Sequence, residues 1–235
     1  MTDLESSTKL KHDYEQVLAD IKSACESCQR PMESVQLLAV SKKHSIEAIE
    51  AVHGFGQSCF GENYVQEGTD KAQVLSGLKL DWHFIGPIQS NKTKHVAEHF
   101  HWVHTIEREK IAQRLNDQRP EALPPLNVLI QVNISEQESK SGIHLNEVTS
   151  LANKIMAMPN LKLRGLMCIP APNNENQLRQ EFLSMGDCFQ ALQQANPDEN
   201  IDTLSMGMSA DLSLAIECGS TMVRIGTAIF GQRLS

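Results

Sequence analysis

Eight short apolar runs recur along this chain, and helix-like stretches fill the intervals between them. No other feature constrains the fold as much. The runs fall at 37–41, 58–61, 82–86, 102–106, 127–134, 161–169, 203–206 and 222–226. The run at 58–61 is short and polar at its start. Helical patterns lie near 45–54, 64–76, 91–98, 107–117, 145–157, 175–195 and 210–218. A further helix near 8–29 precedes the first strand, with Leu4, Leu10, Val17, Ile21 and Cys25 suggesting one apolar face. Eight strands each followed by a helix predict an α/β fold: a single (β/α)8 TIM barrel with an extra N-terminal helix. The stretch 227–235 leaves room only for a small final turn or helix. A doubly wound open sheet is the alternative. It would usually carry a Gly-rich nucleotide fingerprint after its first strand, and none is present.

The 235 residues are 40% hydrophobic, enough for one sizeable core, so a single domain over 1–235 is expected, with 1–30 as its leading helix. The net charge is −8 and no basic run or aromatic-basic patch occurs, which argues against nucleic acid as a partner. No stretch has the apolar length of a membrane span, and the first residues are too polar for a signal peptide. Six scattered cysteines, mostly in apolar segments, fit a reduced protein, so a cytoplasmic location is expected.

In such a barrel, chemistry sits at the C-terminal ends of the strands. The first strand ends on Lys42. Lysine is almost never buried without a partner, so this one needs an explanation. It either reaches into water where the strand stops, or it is a desolvated amine able to form a Schiff base. Lys43 competes for either role. The later strand ends carry Gly61-Glu62-Asn63-Tyr64, His83, Ser205 through Ser209, and Arg224-Ile225-Gly226-Thr227.

The loops after strands seven and eight often hold a phosphate in barrels. Gly226 lets backbone approach an anion, and Thr227 adds a hydroxyl and an N–H. Ser209 is expected to cap the next helix, whose first N–H groups favour an anion. Asp211, in that first turn, suits the helix dipole but not a nearby phosphate. The bland alternative is that these residues only make turns and a cap.

The segments Ala39–Lys42, Phe60–Glu67, Trp82–Lys92, Leu204–Ser209 and Gly219–Thr227 closely resemble the pyridoxal phosphate homeostasis protein family. The resemblance runs from the first helix to Phe230-Gly231. It implies a barrel like the N-terminal domain of alanine racemase, with pyridoxal 5'-phosphate (PLP) as cofactor. It also implies roles: Lys42, not Lys43, as the Schiff-base lysine; Arg224 facing the pyridine nitrogen; and Ser209, Gly226 and Thr227 on the phosphate. Ser205 is a weaker phosphate candidate. Asn63 matches a polar residue near the ring, with His83 a further neighbour.

A guanidinium stays protonated, so Arg224 donates to a ring nitrogen and leaves it largely unprotonated. The ring is then a weaker electron sink. Racemisation needs acid–base groups on both faces of the α-carbon. In racemases resembling this barrel, a tyrosine from a second domain serves one face. That domain is not expected here, and the only tyrosines are Tyr14 and Tyr64. The resemblance therefore implies a PLP-holding protein of PLP homeostasis, with no catalytic residue assigned. PLP-dependent apoenzymes are its expected recipients, and the expected state is a monomer. A low-rate racemase or related PLP enzyme is the alternative; a barrel for some other phosphorylated metabolite is a third reading. Cys25 and Cys28 form a lone C-x-x-C, and His95, His99, His101 and His104 form a cluster. Neither has the partners of a redox or metal site, and no metal is expected.

Overall fold

The computed structural model describes residues 3–137 and 139–232, with side chains from residue 7 onward. All eight expected strands form: β1 Gln36–Val40, β2 Cys59–Glu62, β3 Asp81–Phe84, β4 Trp102–Ile106, β5 Leu126–Val132, β6 Leu161–Cys168, β7 Thr203–Ser205 and β8 Met222–Ile225. They pair in parallel and in chain order, and β1 closes on β8 with Leu38 opposite Arg224. Closure excludes the open doubly wound sheet.

The helices are α1 Asp3–Ser27, α2 Ile46–Gly54, α3 Val65–Val74, α4 Thr93–His99, α5 Glu109–Gln118, α6 Val148–Met156, α7 Glu175–Ala195, α8 Leu212–Glu217 and α9 Thr227–Phe230. Val17, Ile21 and Cys25 of α1 are buried, and Leu10 packs at the edge of the same core. The side chain of Leu4 lies outside the described residues. No described helix is long and apolar enough to cross a membrane.

Strand parity sorts the core into two compartments. Successive strand side chains point to opposite faces. Leu37 and Ala39 of β1 join the large outer core under the helices. Leu38 and Val40 point inward, packing with Cys59, Ile85 and Met222 inside the barrel. Trp102, Leu129 and Met167 form a second interior cluster. On β8, Val223 and Ile225 belong to the outer core, so Arg224 between them must point inward. The same parity turns His83 to the interior, because Trp82 and Phe84 belong to the outer core, and turns His104 inward with Trp102, because Val103 between them belongs to the outer core.

Candidate functional site

At the C-terminal mouth of the barrel lies a cavity of about 340 Å3, lined by Val40, Lys42, His44, Asn63, Ile85, Ile169, Met208, Ser209, Ala210, Arg224, Gly226 and Thr227. Small-ligand sites span roughly 300–1,000 Å3, so this volume suits one small organic molecule. Six of the residues singled out in the sequence meet here: Lys42, Asn63, Ser209, Arg224, Gly226 and Thr227. Larger cavities occur on the outside of the barrel, among them one of about 610 Å3 beside α7 and α8. That one is a polar surface groove that meets the mouth cavity at Ser209 and Ala210.

Lys42 follows β1 by two residues and is half-buried, whereas Lys43 is exposed. The chain separates them by a turn in which Lys43 takes a left-handed φ of 63°. For a residue with a Cβ that conformation costs roughly 1–2 kcal/mol. Backbone geometry thus distinguishes two lysines that sequence physics left equivalent.

Arg224 is buried on the cavity floor and anchored by neutral acceptors. Its Nη1 donates to the Ser205 carbonyl and to Ser205 Oγ, both at 2.8 Å, and its Nη2 donates to the Cys168 carbonyl at 2.8 Å. Among the described residues no carboxylate lies at ion-pair distance from it. Burial pulls its pKa down from the usual arginine range, with Cys168 and Asp211 opposing. A buried cation with only dipolar partners is an incomplete arrangement, and it suits an anionic or electron-rich ligand above it.

His83 and Ser205 do not line the cavity. They are fully buried beneath it: Ser205 bonds Arg224 directly, and His83 is linked to Ser205 through His104. Ser205 Oγ lies 3.2 Å from His104 Nδ1, and His104 Nε2 lies 2.9 Å from His83 Nδ1. Arginine can only donate, so Ser205 Oγ accepts from it. The serine hydroxyl then donates to His104 Nδ1. His104 must carry its proton on Nε2 and pass it toward His83 Nδ1. The His83 proton is left on Nε2, which has no partner. Both rings are neutral: burial, reinforced by the neighbouring His101, drives His83 down to about 3. Burial, with His83 and Arg224, holds His104 well below the usual range. His83 also stacks on Trp102 at 5.1 Å.

Asn63 closes the cavity from the β2 side. Its Oδ1 is buried without a hydrogen-bond partner, an acceptor still owed a donor. Its backbone is held by Gly86, where a Cβ would lie 2.1 Å from the Asn63 carbonyl oxygen. On the opposite side, Gly207 has φ 99° and its carbonyl accepts from Arg224 N–H at 3.0 Å. Ser209 is not a helix cap. α8 starts at Leu212 with Asp211 as N-cap, and Asp211 Oδ1 instead accepts from Met208 N–H at 2.5 Å. The 207–211 loop is therefore a turn closed on itself. Ser209 stays exposed at the cavity rim, beside Gly226 and Thr227.

His44, Ile169 and Met208 also line the cavity, and sequence reasoning gave them no role. Ile169 and Met208 are unusually exposed for apolar side chains, 37% and 39%. His44 stacks on Phe230 of α9 at 4.9 Å. Its nearness to Lys42 in sequence was the available signal. Tyr14 is buried on α1 and Tyr64 is exposed outside this cavity's lining. Cys25 and Cys28 are free thiols at the end of α1, and the Cys28 thiol bonds to helix carbonyls. Among the described residues no group of His, Cys, Asp and Glu could hold a metal ion.

The fold is a parallel eight-stranded barrel with a lysine after β1 and an arginine on β8. The family model described as "Alanine racemase, N-terminal domain" matches residues 14–234. Pyridoxal phosphate homeostasis proteins from Pasteurella multocida and Escherichia coli K12 are each 54% identical, spanning 95% of this chain and 97% of theirs. The chain belongs to the pyridoxal phosphate homeostasis protein family. PipY of Synechococcus elongatus, solved with PLP bound, superimposes with a TM-score of 0.78 at 34% identity, over 91% of this chain and all of that one. Alanine racemase from Corynebacterium glutamicum, at 15% identity and a TM-score of 0.70 over 97% of this chain and 62% of its own, shares the fold.

Proposed function

We propose that this protein binds PLP at the barrel mouth and serves PLP homeostasis in the cytoplasm, acting as a monomer without strong dedicated catalysis. The observation that carries the reading is the convergence of Lys42, Arg224, Ser209, Gly226 and Thr227 on one cavity of cofactor size. Asn63 Oδ1 and the unpaired Arg224 charge fit such a ligand, since both are left incomplete by the protein alone. The names of the 54% identical relatives and the PLP in the PipY structure support the same reading.

When bound, PLP supplies an aldehyde that condenses with an amine and releases one water. In this chain Lys42 is the amine placed to receive it. Ser209, Gly226 and Thr227 lie where a phosphate would be held. Arg224 presents a donor, not a carboxylate, from the floor, so a ring nitrogen above it stays unprotonated and the ring withdraws electrons weakly. That favours holding the cofactor over stabilising carbanions, and a PLP-dependent apoenzyme is the recipient in keeping with it. The test is borohydride reduction of the protein incubated with PLP, followed by peptide mapping. The pyridoxyl label is expected on Lys42 and absent from Lys42→Ala. Label confined to Lys43, or none, would overturn the assignment.

A low-rate PLP enzyme is the second reading, favoured by His44, an imidazole lining the cavity close to Lys42. It predicts α-proton exchange of D- or L-amino acids above the rate of free PLP, lost in His44→Ala. Exchange no faster than free PLP rejects it.

A further inference from the structure

Lys71 of α3 is 5% exposed, and no part of the proposed site uses it. Its Nζ donates to the Ser41 carbonyl at 2.9 Å, to Glu62 Oε1 at 2.8 Å and to Glu67 Oε1 at 2.7 Å, which employs all three of its protons. The two carboxylates reach onward to the chain on either side of Lys42. Ser41 Oγ donates to Glu62 Oε1 at 2.6 Å. Lys43 N–H donates to Glu67 Oε1 at 2.5 Å. The residue before Lys42 and the residue after it are thus tied to one buried ammonium, and the second tie holds Lys43 in its left-handed conformation.

Stability alone does not account for this cluster. A buried ion pair roughly breaks even against apolar packing. This one also leaves Glu62 Oε2 buried with no partner. Such a local flaw fits a cluster kept for what it positions.

We infer that Lys71 is a positioning residue: with Glu62 and Glu67 it clamps the 41–43 turn so that Lys42 enters the cavity and Lys43 leaves it. The inference rests on the proposed role of Lys42 and adds the reason why one lysine of the pair is chosen.

The test uses the full chain with Glu67→Ala, Glu67→Gln and Lys71→Met. In cofactor-free protein, exchange of the Lys43 amide, followed by NMR, should accelerate at least tenfold in Glu67→Ala and Lys71→Met, because the opening of that bond becomes local. Glu67→Gln keeps an acceptor oxygen and should restore most of the protection. With PLP, the dissociation constant should rise about tenfold or more, since small misplacements of a reacting group are costly. Borohydride label should then divide between Lys42 and Lys43. Should Lys71→Met fail to fold, Glu67→Ala, at a half-buried position, decides. A folded Glu67→Ala protein with a protected Lys43 amide, unchanged affinity and label on Lys42 alone overturns the clamp. Absence of label from the unsubstituted protein overturns the Schiff-base reading instead, and the Lys43 amide still decides the clamp.

Discussion

Arg224 sets the position of protons three side chains away. It has no acceptor to offer, so the order Arg224, Ser205, His104, His83 has one direction in which every intermediate donor is employed. Both imidazoles should therefore be neutral Nε2–H tautomers at pH 7. Nitrogen chemical shifts of the two rings test this; a Nδ1–H signal from His104 would break the chain. Ser205→Ala removes the link and leaves buried groups unpaired, which costs about 1–3 kcal/mol on a urea titration. It should also free His104 to change tautomer and lower PLP affinity, since the Arg224 guanidinium keeps the Ser205 and Cys168 carbonyls but loses its one side-chain acceptor. A loss of stability with unchanged affinity would show that Ser205 packs the floor without orienting Arg224.

At the scale of elements, the strands were readable because apolar runs and parity are local properties. Arg224 points inward because Val223 and Ile225 must point outward, a statement about three consecutive residues. What was not readable depended on contacts between elements. Ser209 looked like a cap, but the loop closes through Asp211 and Met208 and α8 starts later. His83 and Ser205 stood at strand ends beside the expected ligand, yet they lie below it, where only the barrel's depth decides. Lys71 gave no signal at all, as an ordinary lysine in a helical pattern. Gly86 shows how tightly these elements fit. The loop after β3 touches the Asn63 carbonyl, and Thr105 of β4 binds the Gly86 carbonyl at 2.7 Å. Gly86→Ala forces backbone apart, so a loss of about 1–3 kcal/mol is expected, as for other overpacked sites. Because Asn63 moves with it, PLP affinity should fall too. Calorimetry and a PLP titration of the same variant check both; a destabilised protein with full affinity would show that Asn63 does not contact the ligand.

The molecule as a whole encloses two neutral imidazoles and one buried carboxyl whose pKa values have moved, and their effects on stability oppose each other. His83 is depressed to about 3, so the unfolded chain binds its proton more readily than the fold does below pH 6.5. Its contribution is complete above that pH and is lost as pH falls toward 3. His104 moves in the same direction for the same reason. Glu62 is raised, chiefly by burial and against the pull of Lys71. Its contribution is present at low pH and lost as pH rises through its folded value, so it offsets part of the histidine slope in the acid range. Between pH 6.5 and 5 the histidines should dominate, because two rings refuse a proton that the unfolded chain takes up, against at most one extra proton held by Glu62. Each imidazole then steepens the decline by up to about 1.4 kcal/mol per pH unit. Urea titrations of cofactor-free protein at pH 7 and pH 5 should show this loss. His83→Phe keeps an aromatic face for Trp102 and removes one titrating ring. It should be less stable at pH 7, with His104 Nε2–H left unpaired, yet flatter in its pH dependence. An equally steep profile in His83→Phe would mean that His83 takes up its proton without unfolding. The buried chain beneath Arg224 would then open to water in the native state.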